Sequence, residues 1–173
     1  MTIAAAIESD WSTWTSTLAS CSELSEETPD PSGVQVLMAY FLASETRRRP
    51  RSLATKALHF ARPGSFIPVD TYTGNLLGQE LDAGSWEQTQ GMGAQPFAAW
   101  YLSFLRVVHE IGDDNSDILP ELFELDRATF TTSGAERTRG LPKLLDKIMW
   151  WVGLERKRGN QIALFANEAC RQG

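Results

Sequence analysis

The scarcest residues narrow this sequence first. It holds two histidines and two cysteines in 173 residues. No Cys/His cluster has zinc spacing, and two histidines cannot build a metal site alone. Cys21 and Cys170 are too few for a disulfide scaffold. Both thiols are therefore expected free, in a reducing cytoplasm. No run reaches the ~18 uninterrupted apolar residues of a bilayer span, so no membrane partner is expected. The opening Met-Thr-Ile-Ala-Ala-Ala-Ile-Glu lacks the basic start and apolar core of a signal peptide. Internal repeats and low-complexity tracts are absent, and no cofactor is called for. What remains is 42% apolar and 22% charged, the balance of a globular protein. That excludes a disordered chain, a collagen and a coiled-coil rod. The length fits one domain over residues 1–173, with 1–30 as an acidic N-terminal segment.

A net charge of −6 argues against a nucleic-acid partner, but the charges are unevenly spread. Residues 47–62 carry Arg47, Arg48, Arg49, Arg51, Lys56 and Arg62 with no acid. Residues 137–158 carry Arg137, Arg139, Lys143, Lys147, Arg156, Lys157 and Arg158 against Asp146 and Glu155. Thirteen of the sixteen basic residues lie in these two segments. Clustering of this kind can place a basic patch on an acidic body. Two solvated helix faces would give the same pattern.

Hydrophobic spacing predicts an all-α protein of about six to eight helices. Trp11, Trp14 and Leu18 share a face of a short helix near 7–20. Residues 23–33, with two prolines and a glycine, read as a loop. Val34, Leu37, Met38, Phe41 and Leu42 form the stripe of a helix over 34–44. Pro50 ends it or starts the next, over 52–61, with Leu53, Ala57 and Phe60 on one side. Residues 65–70 are a connector in which Pro68 forbids a central strand. Asp70 stands as N-cap of a short helix over 71–77. Its third residue, Thr73, is not Glu, so no capping box is expected. Residues 79–95 are irregular. The cleanest helix covers 97–111, with Phe97, Trp100, Tyr101, Phe104, Leu105, Val108 and Ile111 as core and Gly112 as its end. Asp113-Asp114-Asn115 reads as a helix terminus, since EF-hand spacing is lacking. A helix near 117–130, a polar loop over 131–140 and two helices over 141–152 and 155–171, jointed at Gly153 or Gly159, complete the chain.

One stretch departs from ordinary scaffold. Thr55-Lys56-Ala57 lies on a helix, Arg62-Pro63-Gly64 turns the chain, and Pro68-Val69-Asp70-Thr71 opens the next helix. Over residues 34–78 this arrangement resembles the helix-hairpin-helix DNA glycosylases, within them the 8-oxoguanine glycosylase fold. The resemblance implies an all-α fold with Asp70 and Lys56 as catalytic residues. It implies N-glycosidic cleavage of a modified or damaged base, with AP-lyase chemistry where the lysine is the nucleophile. Tyr72 falls where many members carry a histidine near the substrate's phosphate. The partner implied is nucleic acid, DNA ahead of RNA, or a nucleoside-containing substrate. Shortened proteins of this type also look like accessory components of anti-phage defence operons, which implies a protein partner from the same operon. Arg51-Ser52-Leu53-Ala54-Thr55 precedes Lys56 where the family has a glycine-rich hairpin.

The residue types suit that chemistry. Cleaving an N-glycosidic bond builds oxocarbenium character on the sugar, which a carboxylate such as Asp70 stabilises. A lysine attacks only when neutral, so Lys56 would need burial or a cationic neighbour such as Arg51. Arg47, Arg48, Arg49, Arg51, Tyr72, Lys147, Arg156, Lys157 and Arg158 are the candidate nucleic-acid contacts. Trp150-Trp151 fits a base-stacking platform, with one ring expected in the core. Each residue also has a plainer role: Asp70 as an N-cap, Lys56 as a solvated lysine, His59 as a structural histidine. The alternative is therefore a non-catalytic nucleic-acid- or protein-binding module on the same fold.

Overall fold

The computed structural model describes residues 2–42, 50–77, 85–131 and 140–171, with backbone alone for 129–131, 156, 157 and 160–171. Every regular element among them is helical: α1 (Ile3–Ser9), α2 (Trp11–Ser20), α3 (Pro31–Leu42), α4 (Arg51–Ala61), α5 (Thr71–Leu76), α6 (Ala94–Asp114), α7 (Leu119–Thr131) and α8 (Gly140–Arg171). A single 3₁₀ turn covers Glu87–Thr89. The all-α class expected from the spacing is what the chain adopts.

The centre of the fold is the pairing of α3 with α6; α1, α2 and α4 pack around α3. The apolar stripe of α3 is buried as its spacing predicts: Val34, Leu37, Met38, Phe41 and Leu42. The helix starts earlier than expected, inside the 23–33 stretch read as a loop. Pro31 takes its first position, where a missing N–H costs nothing, and the Asp30 carboxylate accepts from the Gly33 amide at 2.8 Å. On α6, Phe97, Trp100, Tyr101, Phe104, Leu105 and Val108 are buried. Their rings stack along the helix, Phe97 on Trp100 at 5.8 Å and Trp100 on Phe104 at 5.7 Å. Offset stacking of this kind adds about 0.5–1.5 kcal/mol per pair beyond the burial itself.

Four further features differ from the sequence reading. The helix expected near 7–20 is two helices broken at Asp10, whose backbone leaves the helical region and whose carboxylate accepts from the Tyr40 hydroxyl at 2.7 Å. α6 begins three residues earlier than expected, at Ala94, and runs through Gly112 to Asp114, inside the Asp113-Asp114-Asn115 stretch read as its terminus; Leu141 of α8 packs against Gly112. On α4 the buried residues are Ala54, Thr55, Leu58 and His59, so Leu53 and Phe60 face solvent. The final two helices are one, α8, unbroken through both glycines.

Gly153 is there for proximity. A Cβ at that position would come within 2.8 Å of the Tyr72 carbonyl oxygen, a backbone atom that cannot swing aside. α5 therefore lies directly on α8. Gly153→Ala should lower stability by about 1–3 kcal/mol through overpacking, despite alanine's better helix propensity. Urea unfolding monitored by circular dichroism checks this. A stabilised Gly153→Ala variant would show that α5 and α8 are not pressed together.

The segment between α4 and α5 threads the interior. Ser65, Phe66, Ile67 and Val69 are fully buried in a segment that is neither helix nor strand. With no neighbouring strand, side chains must satisfy the main-chain polar groups. His59 donates from Nδ1 to the Phe66 carbonyl at 2.7 Å. The Tyr101 hydroxyl donates to the Ile67 carbonyl at 2.7 Å and accepts from the Ile67 amide at 3.1 Å. Thr55 Oγ1 accepts from the Val69 amide at 2.9 Å. The residue so delivered to the surface is Asp70. Among the described residues, no buried side-chain nitrogen or oxygen lacks a partner.

Candidate active-site cleft

An open cleft of about 310 Å³ lies where α4 begins and where the buried strap emerges into α5; Pro50, Arg51, Ser52, Leu53, Asp70, Thr71 and Trp86 line it. That volume is at the lower end for small-molecule sites. One wall is the first turn of α4, whose N-cap is Pro50 and therefore supplies no side-chain cap. The other named walls are the Asp70–Thr71 corner and the Trp86 ring.

Asp70 is N-cap of α5 as expected. Its Oδ1 accepts from the Tyr72 amide at 2.8 Å and the Thr73 amide at 3.1 Å. The capping box, not expected with Thr at its third position, is present. The Thr73 hydroxyl accepts from the Asp70 amide at 3.0 Å, doing with a short side chain what Glu does with a long one. All these contacts fall on Oδ1; Oδ2 has no hydrogen-bond partner among the described residues. The carboxylate is thus fixed in direction while one oxygen stays available.

Arg51 is held just as firmly. Its Nη1 donates to the Trp86 carbonyl at 2.8 Å and to the Thr89 hydroxyl. The guanidinium carbon sits 4.5 Å from the centre of the Trp86 ring, a cation–π contact. Partial burial pulls the Arg51 pKa below its ordinary value, while Glu87 nearby pulls the other way. Trp86 is positioned by close approach: a Cβ on Gly74 would lie 2.8 Å from the Trp86 Cβ. Its ring also meets Phe97 and Trp100 of the α6 core.

The structure thus brings Asp70 and Arg51 to one cleft and leaves Lys56 out of it. Lys56 is exposed and lies five residues after Arg51, about 140° further around α4. His59, three residues on, is committed to the Phe66 carbonyl. Tyr72 is half-buried and meets Trp150 edge-on at 6.0 Å. Both tryptophans of the 150–151 pair are exposed, 41% and 61%, so neither is in the core as one was expected to be. Lys147 reaches across to Asp126 on α7 at 2.7 Å, and Arg158 pairs with Glu155 one turn earlier at 2.8 Å. Arg47, Arg48 and Arg49, and the side chains of Arg156 and Lys157, lie outside the described residues.

Trp86, Pro50, Ser52 and Leu53 are cleft residues that sequence reasoning did not place at a site. Trp86 sits in an irregular stretch, where no helical period marks a ring as core or site. A large aromatic outside any helix, followed by Glu87 and close to two glycines, is the signal that was there to find. No group of three or more His, Cys, Asp or Glu side chains suited to a metal occurs among the described residues. No helix among them is long and apolar enough to cross a membrane. Compared with family models, with curated proteins and with solved structures, the chain matches none.

Proposed function

We propose that this all-α protein is a DNA glycosylase-like enzyme that removes a modified or damaged base, with Asp70 as the residue at the reacting sugar. The observation that carries this reading is the Asp70 carboxylate on the cleft wall, pinned through Oδ1 and open at Oδ2. A fixed anion beside the sugar stabilises the oxocarbenium charge that grows as the base leaves. The C1′–N bond breaks with its electrons going to the base, water oxygen adds at C1′, and a water proton ends on the base. The exposed position of Lys56 favours this hydrolytic course over attack by a lysine. A second reading, binding without chemistry, is favoured by the exposed Trp150, which meets Tyr72 edge-on, and by the exposed Trp151 next to it in sequence. Exposed rings of this kind can stack on bases.

The test uses single- and double-stranded oligonucleotides carrying modified bases, damaged bases and an abasic site, with borohydride present to trap any lysine–sugar Schiff base. Base release by the native protein and by Lys56→Ala, lost in Asp70→Asn, without a trapped adduct, is the expected result. A trapped adduct that disappears in Lys56→Ala would move the chemistry to the lysine. No release from any substrate would move the reading to a binding role.

A further inference from the structure

Arg51 and Asp70 share one cleft yet make no ion pair with each other. Each is held by neutral groups instead: the arginine by a carbonyl, a hydroxyl and an indole face, the aspartate by amides and a hydroxyl. Neither charge is neutralised by the other, so both remain to meet a ligand. Arg51 has no carboxylate within ion-pair distance among the described residues. Both Nη1 hydrogens are taken up by the protein, while Nε and Nη2 have no partner among the described residues. Those free donors form the fork that matches a phosphate, and the rigid mount means little ordering remains to be done on binding. The uncapped first turn of α4 lines the same wall and has the same positive sign.

We infer that Arg51 anchors the phosphate of a nucleotide whose sugar lies against Asp70, so that the substrate class is the phosphorylated nucleoside and not the free nucleoside or base. This rests on the proposed function for the role of Asp70, and it assigns to Arg51 the recognition of the substrate's anion. The separation of the two charges then has a use. The guanidinium meets the group that is anionic throughout, and the carboxylate meets the carbon that becomes cationic only in the transition state.

The experiment measures binding of the four common 2′-deoxynucleosides and of their 5′-monophosphates to the full chain by calorimetry at low salt. A second arm uses a single-stranded oligonucleotide and the same strand with methylphosphonate linkages. A phosphate preference of about 10-fold is expected in one arm or both. It should shrink with added salt and vanish in Arg51→Gln, with partial recovery in Arg51→Lys, whose point charge lacks the fork. Preference in the mononucleotide arm identifies a free nucleotide; preference in the oligonucleotide arm alone identifies a strand phosphate. Because Arg51→Gln also removes bonds to Trp86 and Thr89, the native-protein comparison decides by itself. Equal binding of phosphorylated and unphosphorylated ligands in both arms, or no binding in either, overturns the inference. Base release that ignores the phosphate would sink the inference and leave the enzyme reading standing. An Arg51-dependent phosphate preference without base release would do the reverse.

Discussion

Tyr101→Phe should destabilise the protein by about 2–5 kcal/mol, a severe effect for the loss of one oxygen. The phenol is fully buried and serves both the amide and the carbonyl of Ile67, 34 residues away in sequence. Removing it leaves two buried main-chain groups without a partner, at about 1–3 kcal/mol each. A ring of unchanged shape supplies nothing in exchange. Thr55→Val cuts the next anchor along, at Val69. The two variants together should cost less than their sum, because a strap freed at one anchor already admits water at the other. Denaturant unfolding of the single and double variants checks this, and so does hydrogen exchange at the Ile67 amide, which should lose protection in Tyr101→Phe. The pH dependence has a definite sign. Burial pushes the Tyr101 phenol far above its ordinary value. Folding therefore favours the protonated form, and this contribution is intact below the unfolded phenol's pKa of about 10 and declines as pH rises beyond it. The native protein should lose stability on the alkaline side more steeply than Tyr101→Phe. A variant as stable as the native protein would mean that the strap is not held from α6.

The same strap shows where sequence reasoning reaches its limit. α3 and α6 were legible because their cores repeat at helical spacing, and a period survives whatever the helix packs against. The strap has no period. Its order comes from His59, Thr55 and Tyr101, residues distant in sequence, and no local pattern announces such bonds. Asp70 was legible as an N-cap because capping is local chemistry. The Thr73 half of its capping box was not, since the pattern sought a Glu and a hydroxyl met the same amide. α4 misled for a third reason. Leu53, Ala57 and Phe60 form a fair apolar face, but the side that packs inward carries Thr55 and His59, polar residues whose burial depends on the strap they hold. Gly153 read as a joint because glycine weakens an isolated helix. In the fold it is the residue that lets α5 touch α8. The cleft itself joins a helix start, a strap end and an irregular tryptophan. Only its Asp70 and Arg51 carried a sequence signal.

Asp70 is the residue where structure and chemistry must be pulled apart, and two substitutions do it. Asp70→Asn keeps an oxygen where Oδ1 accepts the Tyr72 and Thr73 amides, and asparagine caps helices as well as aspartate does. Its stability should stay within about 0.5 kcal/mol of the native protein. Asp70→Ala removes the cap and should cost about 1 kcal/mol. If Asp70 is only a cap, the two variants differ in unfolding and agree in every functional assay. If the free Oδ2 carries charge to the sugar, both lose base release by about 100-fold or more, the size expected when a preorganised electrostatic contact to the transition state is removed. Asp70→Asn then becomes a folded, stable and inactive protein. That combination cannot arise from a damaged fold. Its nucleotide affinity sharpens the point, because a carboxylate that faces charge only in the transition state contributes little to ground-state binding. Asp70→Asn should therefore bind nucleotide as the native protein does, or slightly better with one negative charge fewer near the phosphate. A variant that loses affinity and rate together would place Asp70 on the ground-state substrate instead.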